Sequence, residues 1–231
     1  MTRMFDKVTI TWNPIIGCLH ECSYCWARSL ATGRLKRTAK YRNGFKPTLC
    51  ESELGRRFDD GFIFVSDMGD MWGNWVPGRW IEQVLSAVRE SPKATFLFLT
   101  KNPRRYLEFD LPENVVCGVT LETDDAEVAG AVSKAPSPYW RFDNMLNLKH
   151  SVPNQRMVAI EPVLMFNPER LLEWIWSIRP AFVYVGYDNH SHRLMEPALA
   201  RTAWLIDNLS SFTDVHMKTI RKAWWEHGEE I

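Results

Sequence analysis

Seven short runs rich in Val, Ile, Phe and Leu punctuate the chain, at 8–12, 62–66, 95–100, 115–121, 157–160, 182–186 and 215–218. They are almost continuously apolar rather than alternating, which is the pattern of strands buried on both faces in a parallel sheet. Between these runs the period changes. After Pro77-Gly78, the residues Trp80, Ile81, Val84, Leu85 and Val88 make one apolar stripe, with Arg79, Glu82, Gln83, Ser86 and Arg89 opposite, which predicts an amphipathic helix. Asn167-Pro168 sets a cap residue before a proline at the first helical position and leads into Leu171, Leu172, Ile175 and Trp176. A further helix is predicted after Pro197. Strands alternating with helices imply parallel β/α units, and six or seven of them suit a partial or closed, TIM-barrel-like (β/α) barrel. In such folds the chemistry sits where the strands end, because the loops there converge on one mouth. The strand-end residues to watch are 13–25, 66–70, Lys101-Asn102, 120–122, Glu161-Pro162 and 187–190.

Composition narrows this picture. With 231 residues, 45% of them hydrophobic, the chain can bury one sizeable core, so a single domain over 1–231 is expected, with a basic helix and loop insertion at about 28–57. No run approaches the ~20 apolar residues of a membrane-spanning helix, and the opening residues lack a signal-peptide core, so the sequence reads as cytoplasmic, with no membrane partner. Formal net charge is zero, yet 28–46 holds seven basic residues (Arg28, Arg34, Lys36, Arg37, Lys40, Arg42 and Lys46) and no acidic one. Such a run either tracks a phosphate backbone or is a solvated basic face. Several of the eleven tryptophans, such as Trp80 and Trp176, fall in apolar helical stripes and read as core rather than as platforms for bases.

Five cysteines are an odd count, and three crowd together as Cys18-Leu-His-Glu-Cys22-Ser-Tyr-Cys25, while Cys50 and Cys117 stand alone. That suits a metal site in a reducing compartment better than a disulfide framework. Three thiolates can hold three irons of a cubane cluster and leave the fourth open to a substrate or cofactor. The alternative is zinc on the same cysteines with His20 as fourth ligand. Zinc ligands usually come as separated pairs, and no second pair is present, so His20 and Glu21 read as solvated loop residues.

The C-x3-C-x2-C spacing, with an aromatic just before the last cysteine and a first strand just before the motif, resembles the radical S-adenosylmethionine (radical SAM) superfamily. That resemblance implies an oxygen-sensitive [4Fe-4S] cluster on Cys18, Cys22 and Cys25, with S-adenosyl-L-methionine chelating the open iron and split by one electron to a 5′-deoxyadenosyl radical. It also implies an external reductant of the flavodoxin or ferredoxin type. A longer set of matches is similar to a narrower family of phage-associated radical SAM-like proteins. These are Thr11-Trp12-Asn13-Pro14-Ile15-Ile16-Gly17-Cys18, then 66–72 with Val76-Pro77, 99–103, 118–122, 160–164 and 183–186. Two stretches depart from that family's pattern, Gly186-Tyr187-Asp188-Asn189 and Met217-Lys218-Thr219-Ile220. Both fall where substrate-facing loops belong, so the resemblance implies the cofactor more firmly than the substrate.

The resemblance also suggests roles at the strand ends. Asp67 and Asp70 occupy the segment that holds the methionine amino group, with Asp70 favoured, although a capping or solvated aspartate is the plain alternative. Thr120 and Glu122 share one face by the two-residue period, and a carboxylate there can accept from ribose hydroxyls. Lys101 either pairs with the cofactor carboxylate or is the first solvated residue after the sheet. Glu161, between an apolar run and Pro162, should be half-buried and need a partner, a cofactor amine or an arginine. Tyr24 is expected to pack beside the cluster and the adenine. The substrate is open, with three readings: hydrogen abstraction from an unidentified compound, modification or repair of nucleic acid of the spore-photoproduct-lyase kind through 28–46, or no catalysis in a metal-stabilised binding module.

Overall fold

The computed structural model describes residues 5–226. The apolar runs become β1 (Ile10–Trp12), β4 (Phe62–Val65), β5 (Thr95–Thr100), β6 (Val115–Thr120), β7 (Gln155–Ile160), β8 (Phe182–Val185) and β9 (Asp214–Met217). They form one seven-stranded sheet in the order β1-β4-β5-β6-β7-β8-β9, and every neighbouring pair is parallel. The sheet curls into a half-barrel, an α/β partial barrel of the TIM type. A small antiparallel pair, β2 (Ile15–Ile16) with β3 (Thr48–Leu49), stands apart from it; two residues per strand are too few to mark a sequence.

Both faces of the central strands are buried, which explains why their runs do not alternate, while β9 at the edge is partly exposed. Ile63, Val65, Phe96, Phe98, Val119, Val158, Ile160, Val183 and Val185 pack toward the helices. Phe64, Leu97, Val116, Met157, Ala159, Phe182 and Tyr184 form a second cluster that Phe5 and Val8 join, with the Phe5 and Tyr184 rings 4.3 Å apart. The predicted helices are α3 (Gly78–Arg89), α6 (Pro168–Ile178) and α7 (Leu199–Leu209). In α3 the residues Ile81, Val84, Leu85 and Val88 are buried, each contributing about 1.5–3 kcal/mol over exposure. Asn167 caps α6 by accepting from the Arg170 amide at 2.9 Å. The buried stripe of α6 is Leu171, Trp174, Ile175 and Ile178, so Trp176 is not core: a helix turn carries it to the outer side, where it is 48% exposed.

The other α-helices among the described residues are α1 (Trp26–Thr32), α2 (Glu51–Leu54), α4 (Ala126–Gly130) and α5 (Pro138–Ser151), with short 3-10 turns at Ala39–Tyr41, Pro103–Glu108 and Trp224–Glu226. The inner side of residues 27–45 packs Ala27, Ala31, Tyr41 and Phe45 on Ile16 and Met68, and Cys18 and Cys25 lie against the same cluster. The outer side of that segment carries its cations. Among the described residues, no helix is long and apolar enough to cross a membrane.

Candidate functional site

The cysteine loop leaves the end of β1 and is fixed to the turn after β4 by backbone bonds, Gly17 N to Met68 O at 2.9 Å and Asp70 N to Gly17 O at 3.2 Å. Glycine is required on both sides of this contact. Gly17 has a left-handed φ of 84°, and a Cβ on Gly69 would lie 2.7 Å from the Gly17 backbone nitrogen and oxygen. From the other side the segment after α4 closes on the loop: Lys134 N donates to His20 O at 2.7 Å and Ser23 N to Val132 O at 2.8 Å.

Each sulfur of the motif has a hydrogen-bonding neighbour. The His20 amide lies 3.4 Å from Cys18 Sγ, the Ser133 hydroxyl 3.1 Å from Cys22 Sγ and the Arg28 amide 3.3 Å from Cys25 Sγ. Burial pushes the Cys18 thiol well above its usual pKa, and the charges of Asp70 and the other two cysteines push it further; burial also raises Cys25. A bound cation is what would offset these costs and hold thiolates here. Among the described residues, no three His, Cys, Asp or Glu side chains are gathered closely enough to hold a metal ion. What fits a cluster is the donor set: three thiols in one loop, each with a hydrogen bond of the kind that tunes cluster sulfurs. Cys117 faces the helices behind the sheet, where burial pushes its thiol up to about 12.

His20 is not a solvated loop residue. It is 4% exposed, its Nε2 lies 3.0 Å from Asp70 Oδ2, and its ring meets Trp75 edge-on at 4.8 Å. A hydrophilic loop hides this because Asp70 lies fifty residues further along the sequence. Glu21 is exposed and pairs with Lys134 at 2.5 Å. Asp70 also accepts from the Thr100 hydroxyl at 2.8 Å, the Lys101 amide at 3.1 Å and the Trp72 amide at 3.0 Å. Burial alone would raise its pKa, but His20 and these donors outweigh it, and the carboxyl is held below its ordinary range. Asp67 is half-buried, accepts from Asn13 Nδ2 at 2.5 Å, and has its pKa raised by burial.

Lys101, Glu122 and Tyr24 come together as one buried network. Glu122 is 0% exposed and lies just past the end of β6. Its oxygens accept from Lys101 Nζ at 2.8 Å, from Arg141 at 2.7 and 3.2 Å, and from the Tyr24 hydroxyl at 3.3 Å. Lys101 Nζ also donates to the Tyr24 hydroxyl at 3.0 Å. Burial opposes the Glu122 charge, yet Arg141 and Lys101 together hold the carboxyl well below the usual range. Arg141 further donates to the Thr120 carbonyl at 2.8 Å and the Pro136 carbonyl at 2.8 Å. Sequence reasoning missed Arg141. The signal was available in Ser137-Pro138, the same cap-and-proline signature as Asn167-Pro168, which begins α5 and carries Arg141 on its first turn.

Glu161, at the end of β7, takes Lys218 rather than an arginine as partner, at 2.5 Å through Oε1. Its Oε2 is buried without a partner, and burial raises its pKa. Ser66, left-handed at φ 58° where β4 ends, likewise has a buried hydroxyl with no partner.

A parallel half-barrel with a three-cysteine loop at the end of its first strand defines the class of protein. Residues 4–202 match the model of a family described as protein of unknown function (DUF5131), and the chain belongs to that family. No curated protein sequence matches it. The half-barrel is shared with solved structures. A mutant of spore photoproduct lyase aligns with a TM-score of 0.63 at 8% identity, over 94% of this chain and 80% of that one. Another mutant of the same lyase, with bound AdoMet and dinucleoside spore photoproduct, gives 0.56 at 8% identity over 87% and 61% of the two chains. Streptococcus suis SuiB bound to S-adenosylmethionine gives 0.55 at 12% identity over 90% and 50%. The chain thus spans 61% and 50% of the length of those last two proteins, and what is shared at these identities is the fold.

Proposed function

We propose that the protein is a radical SAM enzyme, with a [4Fe-4S] cluster on Cys18, Cys22 and Cys25. The observation that carries this reading is the position of the cysteine loop. It holds three hydrogen-bonded thiols where β1 ends, in a half-barrel shared with proteins whose structures contain S-adenosylmethionine. When bound, the cluster and S-adenosylmethionine supply the 5′-deoxyadenosyl radical that removes hydrogen from a substrate. The chain's own work is to bind, orient and exclude water. Tyr24 is tied to Lys101 and Glu122 and so forms a fixed wall beside the loop. Glu161 Oε2 and the Ser66 hydroxyl are buried acceptors without partners, and they suit a cofactor amine better than Asp70 and Glu122, whose oxygens are already engaged. Within this sequence only Cys50 and Cys117 remain outside the motif, too few for a second cluster, and in this reading a flavodoxin- or ferredoxin-type reductant supplies the electron in a reducing, cytoplasmic setting.

Anaerobic reconstitution with iron and sulfide tests this. About four irons and four sulfides per chain should bind, with a brown absorption lost in air. Dithionite with S-adenosylmethionine should then give 5′-deoxyadenosine and methionine. Cys18→Ala, Cys22→Ala or Cys25→Ala should lose the iron, whereas Cys50→Ala and Cys117→Ala keep it. His20→Ala should keep it too, and stoichiometric zinc without iron would overturn the reading in favour of a Cys3His module.

A second reading narrows the substrate to nucleic acid, and one observation favours it. Of the seven cations in 28–46, only Lys40 meets an acid, Glu53 at 3.0 Å; Arg34, Lys36, Arg37, Arg42 and Lys46 are exposed without an acidic partner among the described residues. The buried side of the same segment packs against Cys18 and Cys25. Replacing Arg34, Lys36, Arg37 and Arg42 together by Gln should weaken binding to single- or double-stranded DNA or RNA and lower the salt slope by about one unit per lost phosphate contact. No binding at low salt would leave this as a solvated face.

A further inference from the structure

The loop after β8 and the segment after β9 line an open cavity of about 460 Å³ at the same end of the sheet as the cysteine loop, a volume suited to a small ligand. Its two carboxylates are already engaged. Asp188 accepts from the His190 amide at 3.2 Å, the His192 amide at 2.8 Å and the His192 ring at 2.8 Å. Glu196, 1% exposed, takes both arms of Arg221 at 2.9 and 2.7 Å. The groups that remain open are of another kind. Arg193 has no acidic partner among the described residues and lies 5.8 Å from the centroid of the Trp224 ring. Asn189 and Ser191, both exposed, make no side-chain hydrogen bond there. Trp224 is 44% exposed yet held in place, its indole nitrogen donating to Leu194 O at 2.8 Å and its amide to Glu196 at 3.2 Å. The wall is therefore a fixed indole, a cation without an anion, and an amide and a hydroxyl without partners.

We infer that this cavity binds a nucleotide unit, the ring stacking on the exposed part of Trp224 and the phosphate meeting Arg193. A planar ring satisfies the exposed indole, a phosphate matches a guanidinium fork, and Asn189 and Ser191 supply hydrogen bonds to the sugar or base. Leu194, in the same loop, packs with Val128 and Leu164 in the cluster that Tyr24 also joins, so the cavity wall is continuous with the cysteine loop. That the bound unit is the substrate of radical chemistry rests on the reading above; that it binds does not. Free nucleotides and nucleotides within a strand share this chemistry.

Uridine 5′-monophosphate is the probe, titrated calorimetrically into the whole protein with S-adenosylmethionine in excess to fill any adenosyl site. Saturable one-to-one binding is expected, at least tenfold weaker in Arg193→Ala, intermediate in Arg193→Lys, and weakened in Trp224→Leu, with each variant's melting followed. Arg193 is exposed and carries no hydrogen bond, so Arg193→Ala should fold normally. A uridine trinucleotide binding tenfold more tightly than the monomer, with a steep salt dependence, assigns the site to a strand; equal affinity assigns it to free nucleotide. Absence of saturable binding by either probe, or unchanged affinity in Arg193→Ala, overturns the site. Release of 5′-deoxyadenosine without substrate, measured in parallel, should be unchanged in Arg193→Ala. If it is absent while Arg193-dependent binding persists, the cofactor reading fails and the cavity assignment stands.

Discussion

Glu122 and Glu161 lie beyond the ends of neighbouring strands, β6 and β7, the first fully and the second largely buried, but the chain treats them oppositely. Around Glu122 a lysine, an arginine and a tyrosine engage both oxygens, and no part of the carboxylate is left for a ligand. Around Glu161 a lysine engages one oxygen and nothing in the described chain engages the other. The same contrast extends across the mouth. The β1 to β6 side joins loop to loop through Gly17, Gly69, Asp70 and the Glu122 network and leaves the buried Ser66 hydroxyl open beside the cysteine loop, whereas the β7 to β9 side leaves one Glu161 oxygen open and presents Asn189, Ser191 and Arg193 to solvent. The Glu122 network reads as a frame that fixes the cysteine loop, and the open Ser66 and Glu161 oxygens, one on each side, as the places left for a ligand. A network of buried charges with every partner in place rigidifies; a buried polar atom without one marks a place for a ligand.

The sharpest way to break this comparison is Glu122→Gln. Removing the charge leaves Arg141, 0% exposed, and Lys101 as buried cations around a neutral amide, and loss of one partner from a buried ion pair costs about 3–5 kcal/mol. Urea unfolding at neutral pH should show a loss of that size. The pH dependence follows in sign. The folded Glu122 pKa lies below its unfolded value, so its contribution is present above the ordinary glutamate range and is lost as pH falls through that range toward the folded value. The wild type should therefore lose stability on acidification through about pH 4, and Glu122→Gln should flatten that limb. A change below about 1 kcal/mol would mean the network is not the frame.

Gly69→Ala comes next. A Cβ there meets Gly17 and Ile16 backbone, not a side chain that can turn away, so the cysteine loop itself must move. A cost of about 1–3 kcal/mol is expected, with reconstituted iron reduced in the same sample. Full stability with full iron content would show that the β4 turn does not position the loop.

The strands and the charges at their ends were largely legible, and the long-range partners of those charges were not, for physical reasons. The strands stood out because burial on both faces leaves the central ones nearly continuous in apolar residues, and Lys101, Glu122 and Glu161 stood out because each is charged next to an apolar run. Their partners were out of reach. Arg141 is nineteen residues from Glu122, and α5 mixes polar and apolar residues around its circumference, hiding the helix that presents it. The pairing of His20 with Asp70 spans fifty residues, and nothing local in Leu-His-Glu tells a buried histidine from a solvated one. The wall of the β8 cavity depends on Trp224 being fixed by carbonyl and carboxylate groups thirty and twenty-eight residues earlier, a contact that composition cannot encode. Trp176 failed for a simpler reason: Trp174 and Trp176 are two residues apart on one helix, and a shift of the stripe by one position exchanges which is buried.

The smallest effect should come from Glu161→Gln, and its sign is the informative part. Burial lifts the folded pKa of Glu161 above its ordinary value although Lys218 pulls the other way. In the window from the ordinary glutamate range up to the folded value, the native state binds more protons than the unfolded one, so stability falls as pH rises, the reverse of Glu122. Gln removes that titration and keeps the shape. Lys218, 20% exposed, can turn to water once its partner is neutral, so the net change at neutral pH should stay within about 1 kcal/mol in either direction. Unfolding measured from pH 4 to 8 should show the variant gaining on the wild type toward the upper end. A loss as large as that of Glu122→Gln would make Glu161 a second member of the frame, and its unpartnered oxygen would no longer mark a place for a ligand.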